Sequence, residues 1–188
     1  MAFPTTSLLT SFTGGAENPI SEGSTWASTG GALVGGADAQ RDGSGHMVTT
    51  SGTYEMRRTE TIGPQFEIYC TFSTVDTTFV QLYMVSGSDH YRLDKDSSGV
   101  WRFYKTGDVQ FGANLATQAL SNGDAMGFEY VGGVLRAYRK PSGGSWGELG
   151  TDRSDSLLAS STGNLAFACA TAWQFDDFGG GTVASAST

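Results

Sequence analysis

No window of about eleven residues in this chain repeats apolar side chains at the 3.6-residue period of a helix. Short apolar runs broken by Gly, Asn, Asp and Ser recur from end to end instead, a pattern that admits strands and turns and little else. Strands are predicted over 65–73, 78–86, 90–95, 100–106, 125–131, 134–140, 164–171 and 173–178, with one helical turn around Asp155 to Ala159. In Phe128-Glu129-Tyr130-Val131 and Leu135-Arg136-Ala137-Tyr138-Arg139 polar and apolar residues alternate, so one face of each is wet. Between them Gly132-Gly133 has the composition of a two-residue hairpin loop, whose residues need positive φ. The run 79–85 is apolar on both faces and fits a central strand.

Hairpins without covering helices must bury their apolar faces on a second sheet, so the predicted fold class is an all-β, two-sheet antiparallel β-sandwich. The 188 residues suffice for one such domain, and 27 glycines with scarce proline supply its turns. No repeat or linker divides the chain, so 1–188 is read as a single domain. The weakly charged terminal segments 1–7 and 180–188 are expected to lie against neighbouring subunits.

A formal charge of −8 repels a phosphate backbone, and the scattered Arg57, Arg58, Arg136, Arg139 and Lys140 make no basic stripe, so nucleic acid is not an expected partner. Nor is a membrane, since no segment approaches the ~20 apolar residues of a span. The opening Met1-Ala2-Phe3-Pro4-Thr5-Thr6 lacks the positive stretch and apolar core of a secretory signal, so synthesis in a cytosol is expected. Cys70 and Cys169 each sit in an apolar strand-like run and are expected to be buried and reduced.

Two segments together resemble a known family. Leu8-Leu9-Thr10-Ser11-Phe12, leading to Glu17-Asn18-Pro19-Ile20-Ser21 and Trp26, resembles the first strand of concanavalin A-like (LamG/laminarinase-like) jelly-roll domains. Gly163-Asn164-Leu165-Ala166-Phe167 and Phe175-Asp176-Asp177-Phe178 resemble the strands that end those domains. The resemblance implies a jelly roll whose first and last strands pair. It also implies a setting, because this opening and closing are common in structural proteins of tailed bacteriophages. Thr10 departs from the usual Asp, which weakens a carried-over calcium site.

Catalysis is not expected. The family's glucanases carry Glu-x-Asp-x-x-Glu on one strand, and nothing here matches it. The two histidines, His46 and His90, have no nucleophile-elbow sequence to serve. The acidic run 89–96 is interleaved with Arg92 and Lys95 and reads as a solvated hairpin. Asp176 and Asp177, joined by Glu17 and Asn18 if the terminal strands pair, offer hard oxygens of the kind calcium takes; the alternative is that they cap a strand end. No other cofactor is expected.

Aromatic faces stack on sugar rings, so an exposed row of Tyr and Trp would mark a glycan site. Tyr91, Trp101, Tyr104, Tyr130, Tyr138 and Trp146 are available, with core packing as the alternative for each. Alternation places Trp101 and Phe103 on one face and Arg102 and Tyr104 on the other, which makes Tyr104 the better exposed candidate. The expected function is a non-enzymatic phage virion protein, most simply a capsid decoration protein on the virion surface, assembled in the host cytoplasm. Its expected partners are a capsid or tail protein, further copies of itself and a host-surface glycan. A carbohydrate-binding module of a tail or fibre is the alternative, and a glycoside hydrolase or lyase the third reading.

Overall fold

A computed structural model describes residues 3–29, 32–49 and 52–184, and over that span the chain is strands joined by turns. In chain order the strands are β1 (Leu8–Thr10), β2 (Trp26–Ala27), β3 (Gln40–Arg41), β4 (Met47–Val48), β5 (Thr53–Arg58), β6 (Phe66–Thr74), β7 (Val80–Ser86) and β8 (Asp89–Lys95). There follow β9 (Val100–Lys105), β10 (Val109–Gln110), β11 (Ala116–Thr117), β12 (Ala125–Val131), β13 (Val134–Lys140), β14 (Gly147–Ser154), β15 (Asn164–Ala170) and β16 (Gln174–Thr182). They form two antiparallel sheets of eight strands. The first runs β14-β13-β12-β6-β16-β4-β3, with β1 also on β16; the second runs β10-β9-β8-β7-β15-β5-β2, with β11 also on β9. The terminal strands pair, Leu8 against Gly179 and Thr10 against Phe178.

Alternation sets which side chains meet between the layers. Met126, Phe128 and Tyr130 of β12 and Phe66, Ile68, Cys70 and Phe72 of β6 point inward, opposite Leu82 and Met84 of β7, Tyr91 and Leu93 of β8 and Trp101 and Phe103 of β9. Rings touch across the interior at Phe103–Phe128, 5.7 Å between centroids, and Tyr91–Tyr130, 5.1 Å. Each fully buried ring contributes roughly 2–3 kcal/mol relative to an exposed one. The β12–β13 hairpin turns on Gly132 and Gly133 at φ 61° and 78°, a left-handed pair that residues with a Cβ resist.

Besides the two- and three-residue strands β1–β4, β10 and β11, two longer strands escape the sequence pattern. β14 has a single apolar residue facing the core, Leu149, because it is the edge of its sheet and exposed along most of its length. β5 reads Thr-Tyr-Glu-Met-Arg-Arg and looks half-polar, yet Glu55 is fully buried and Arg58 nearly so. The segment 155–160 is a set of turns rather than a helical turn, with the Ala159 N–H donating to the Ser156 carbonyl at 3.2 Å.

Cys70 and Cys169 are free and buried on facing layers. Burial, and for Cys70 the neighbouring Cys169, pushes both thiols far up, away from the reactive thiolate. A thiol reagent at pH 8 should therefore label neither cysteine in the native protein and both after unfolding; labelling of either without denaturant would contradict this packing.

Candidate functional site

The outward residues of the first sheet form two rows across its strands. Tyr69 of β6 lies opposite Gly127 of β12, which lies opposite Tyr138 of β13, which lies opposite Glu148 of β14. One step along, Glu67, Glu129 and Arg136 align in the same way. Gly127 leaves a gap between two tyrosines, and a Cβ there would come within 2.7 Å of the Ile68 carbonyl. Trp146, just before β14, closes the end of the aromatic row at 6.1 Å from Tyr69.

The Phe3 ring sits over Gly127. It stacks on Tyr138 at 4.0 Å and 8° and meets Trp146 and Tyr69 edge-on at 4.9 and 6.3 Å. Behind it, the Glu67 carboxylate accepts the Thr5 N–H at 2.6 Å, the Thr5 and Thr6 hydroxyls at 3.1 and 2.6 Å, and the Thr6 N–H. The Tyr69 hydroxyl donates to the Thr6 carbonyl at 3.2 Å. Burial, then the charges of Glu67 and Asp177, pushes that hydroxyl up to about 12.

Beside this cage is a recess of about 360 Å³ lined by Glu129, Arg136, Tyr138, Trp146 and Glu148. Glu129, only 1% exposed, accepts from the Tyr138 hydroxyl at 2.9 Å and from Arg136 Nη1 at 3.2 Å. Arg136 Nε donates to Asp152 at 3.0 Å, so its guanidinium is shared between two acids. Partial burial, then a hydrogen bond shared with Asp152, holds the Glu148 carboxyl above the usual carboxylate range. The recess therefore sets the partly buried Trp146 beside hydrogen-bonding oxygens, with negative charge in excess, while Tyr138, 7% exposed, has a ring face taken by Phe3.

Three of the five aromatic candidates fall outside the expected single row. Tyr138 and Trp146 stand together on this face. Tyr91 and Tyr130 lie between the sheets, 0% and 1% exposed, and present no ring face outside. They alternate in phase with Leu93 and with Phe128, and their hydroxyls are satisfied inside by Asp155, at 2.7 Å to its carboxylate and 2.8 Å to its carbonyl. Tyr104 does point outward from the second sheet, but the Arg92 guanidinium covers its ring at 4.2 Å. Farther along that face, Val34 N–H binds Glu55 at 2.6 Å, and Leu33 and Val34 pack over Tyr83, Ala166 and Ala168.

The proposed calcium oxygens are not brought together. Glu17 is tied to the Ser21 and Glu22 N–H groups at 2.8 and 2.9 Å and to Arg41 at 3.2 Å. Its turn bridges to Arg41 on β3, so β3 and β4 separate it from Asp176 and Asp177 on β16; Asn18 is exposed on that turn. Among the described residues no cluster of three His, Cys, Asp or Glu side chains fits a metal ion. The terminal strands do pair, but through Leu8–Thr10, upstream of Glu17. Glu67 and Gly127, which make the cage, carry no motif; only the register of β6, β12 and β13 reveals them.

No family model matches the chain, and no curated protein matches it. Solved structures do. The carbohydrate-binding module CBM66 from Bacillus subtilis is 17% identical over 85% of this chain and 89% of its own, with a TM-score of 0.50. The exoplasmic/lumenal domain of VIP36, in a form bound to Ca2+ and Man2, is 10% identical over 96% of this chain and 89% of its own, with a TM-score of 0.63. An uncharacterized protein from Mycobacterium paratuberculosis is 12% identical over 91% and 98%, also at 0.63. The shared fold is the concanavalin A-like jelly roll: two antiparallel sheets in a sandwich.

Neutralising Asp152 tests the coupling in the recess. In Asp152→Asn the like charge beside Glu148 is gone, so the Glu148 titration followed by carboxyl NMR should move to lower pH. A titration that stays in place would mean burial alone sets it.

Proposed function

We propose that this chain is a non-catalytic carbohydrate-binding domain whose ligand face is the outer surface of the first sheet at Tyr138 and Trp146. The observation that carries this reading is the recess in which those two rings adjoin Glu129, Arg136 and Glu148. The partly buried Trp146 ring would supply apolar contact to a sugar, and the flanking carboxylates would accept its hydroxyls. The likeness to a carbohydrate-binding module and to the mannose-bound VIP36 domain supports it as a likeness of fold. Glu129 serves here as a fixed acceptor, since Arg136 and Tyr138 already hold it.

Display on a phage particle, as a capsid decoration protein or on a tail or fibre, is the second part of the proposal, and it rests on the opening and closing segments that resemble phage jelly-roll domains. Mass spectrometry of purified particles, with a reconstruction locating the chain against a capsid or tail protein, tests it; absence from particles would end that part.

Glycan-array screening followed by calorimetry tests the first part. Trp146→Ala should weaken binding of the selected glycan at least about tenfold, the equivalent of one aromatic stack at 1.4 kcal/mol. Tyr91→Phe should leave binding unchanged while lowering unfolding stability by about 1–2 kcal/mol, since it leaves Asp155 short of a donor. Binding that depends on Tyr91 and ignores Trp146 would put the ligand elsewhere.

A further inference from the structure

We propose that Phe3 to Thr6 are a tethered occupant of the glycan face, and that the ligand they stand in for is a neutral pyranose; this rests on the carbohydrate-binding reading above. The arm is not a strand of either sheet. It crosses the sheet's outer surface and is held there as a ligand would be, by one stacked ring and by donors converging on one carboxylate. Phe3 covers a face of Tyr138 and meets Trp146 edge-on, the two rings that also line the recess. The hydroxyls of Thr5 and Thr6 donate to Glu67 at 3.1 and 2.6 Å, the bonds that sugar hydroxyls make to an acid. A pyranose presents the same pair of features, an apolar ring face and vicinal hydroxyls.

Departure of the arm lengthens the site. It bares Tyr69, the gap at Gly127 and the Glu67 carboxylate, joining them to Tyr138, Trp146 and Glu129 in one surface across β6, β12 and β13. The hinge for such a departure is available: Ser7 is exposed and Leu8 is 47% exposed. The charge of the surface selects the ligand. Glu67, Glu129, Glu148, Asp152 and Asp177 face it, against Lys140 and an Arg136 already shared between Glu129 and Asp152. A uronate or a sulfated sugar would meet uncompensated acid, whereas a neutral sugar finds only acceptors for its hydroxyls. An arm seated about nine-tenths of the time weakens the apparent affinity about tenfold.

The experiment compares the full chain, Phe3→Ala and a chain lacking residues 1–6. Circular dichroism and thermal melts establish that each is folded. The probes are mannose-, glucose- and galactose-based oligosaccharides, a glucuronate-containing disaccharide and a synthetic peptide spanning residues 2–7. We expect the neutral sugars to bind Phe3→Ala and the shortened chain about fivefold to tenfold more tightly than the full chain. The peptide should bind the shortened chain, shift its tryptophan emission and compete with the sugar. Equal sugar affinity in all three folded proteins, with Trp146→Ala still weakening binding at least about tenfold, overturns the arm's role and leaves the carbohydrate-binding reading standing. Peptide binding to the shortened chain with no sugar bound by any protein overturns the glycan reading and this proposal with it. Tighter binding of the glucuronate overturns the ligand class. Should the shortened chain fail to fold, the full-length double variant Thr5→Val, Thr6→Val removes only the hydroxyls on Glu67. About a twofold to threefold gain is then expected, and no gain there or in Phe3→Ala overturns the proposal.

Discussion

Aromatic side chains from the two sheets meet edge-to-face and tilted across the interior, at Phe103–Phe128, Tyr91–Tyr130, Trp26–Phe178 and Phe167–Phe175, and the other features of the molecule depend on that contact. A pleated strand has two faces, so committing Phe128 and Tyr130 to the interior sends Gly127 and Glu129 outside with no further choice. The tyrosines in this layer need their hydroxyls satisfied, and Asp155 supplies both from the turn after β14, held in place by Lys105 at 2.8 Å. Its carboxyl is raised by burial but lowered by more through hydrogen bonds from Lys105, Leu157 N–H and Tyr91, so it stays ionised as an acceptor. The dry interior thereby fixes the end of the edge strand and, through it, the position of Glu148 and Asp152.

The two outer faces have been treated differently by the same chain. On the second sheet, Arg92 lies on Tyr104 and binds Asp108 at 2.6 Å, Gln81 binds Asp94 at 3.0 Å, and the segment carrying Leu33 and Val34 seals Glu55. Those groups are tied largely to one another, though the buried Arg92 Nε has no hydrogen-bond partner. On the first sheet the cover is the segment from Phe3 to Thr6, and beside it the recess stays open. A face closed by internal ion pairs and a face closed by one stacked ring and one carboxylate differ in what a ligand would have to displace. That difference, more than the mere presence of aromatics, locates the candidate site.

Alternation made much of this legible in the sequence. The long strands from β6 to β9, with β12, β13, β15 and β16, follow their apolar patterns, and Trp101 with Phe103 inside and Tyr104 outside follows directly from position in the strand. The same rule applied to Tyr91 beside Leu93, and to Tyr130 beside Phe128, would have placed both in the core. Choosing residues by type instead of by phase put them in a glycan row. What alternation cannot supply is register between strands distant in sequence. Nothing local says that Tyr69 and Tyr138 flank Gly127, or that β3 and β4 come between Glu17 and β16. Edge and covered strands are also poorly legible, because β14 needs almost no apolar residues and Glu55 of β5 is buried by a segment more than twenty positions upstream.

A polar outer surface becomes a binding surface when its packing leaves one piece unfinished. Gly127 is that piece: a side chain there would fill the gap between the two tyrosines and press on the Ile68 carbonyl, and the sheet would present a continuous wall. With only hydrogen at the position, a flat ring can descend to the backbone and be gripped from both sides, which is a requirement of shape and not of sequence identity. Glu67 and Glu129, neighbours in register, then give any such ring two fixed acceptors at a known offset. The chain fills this gap with its own Phe3.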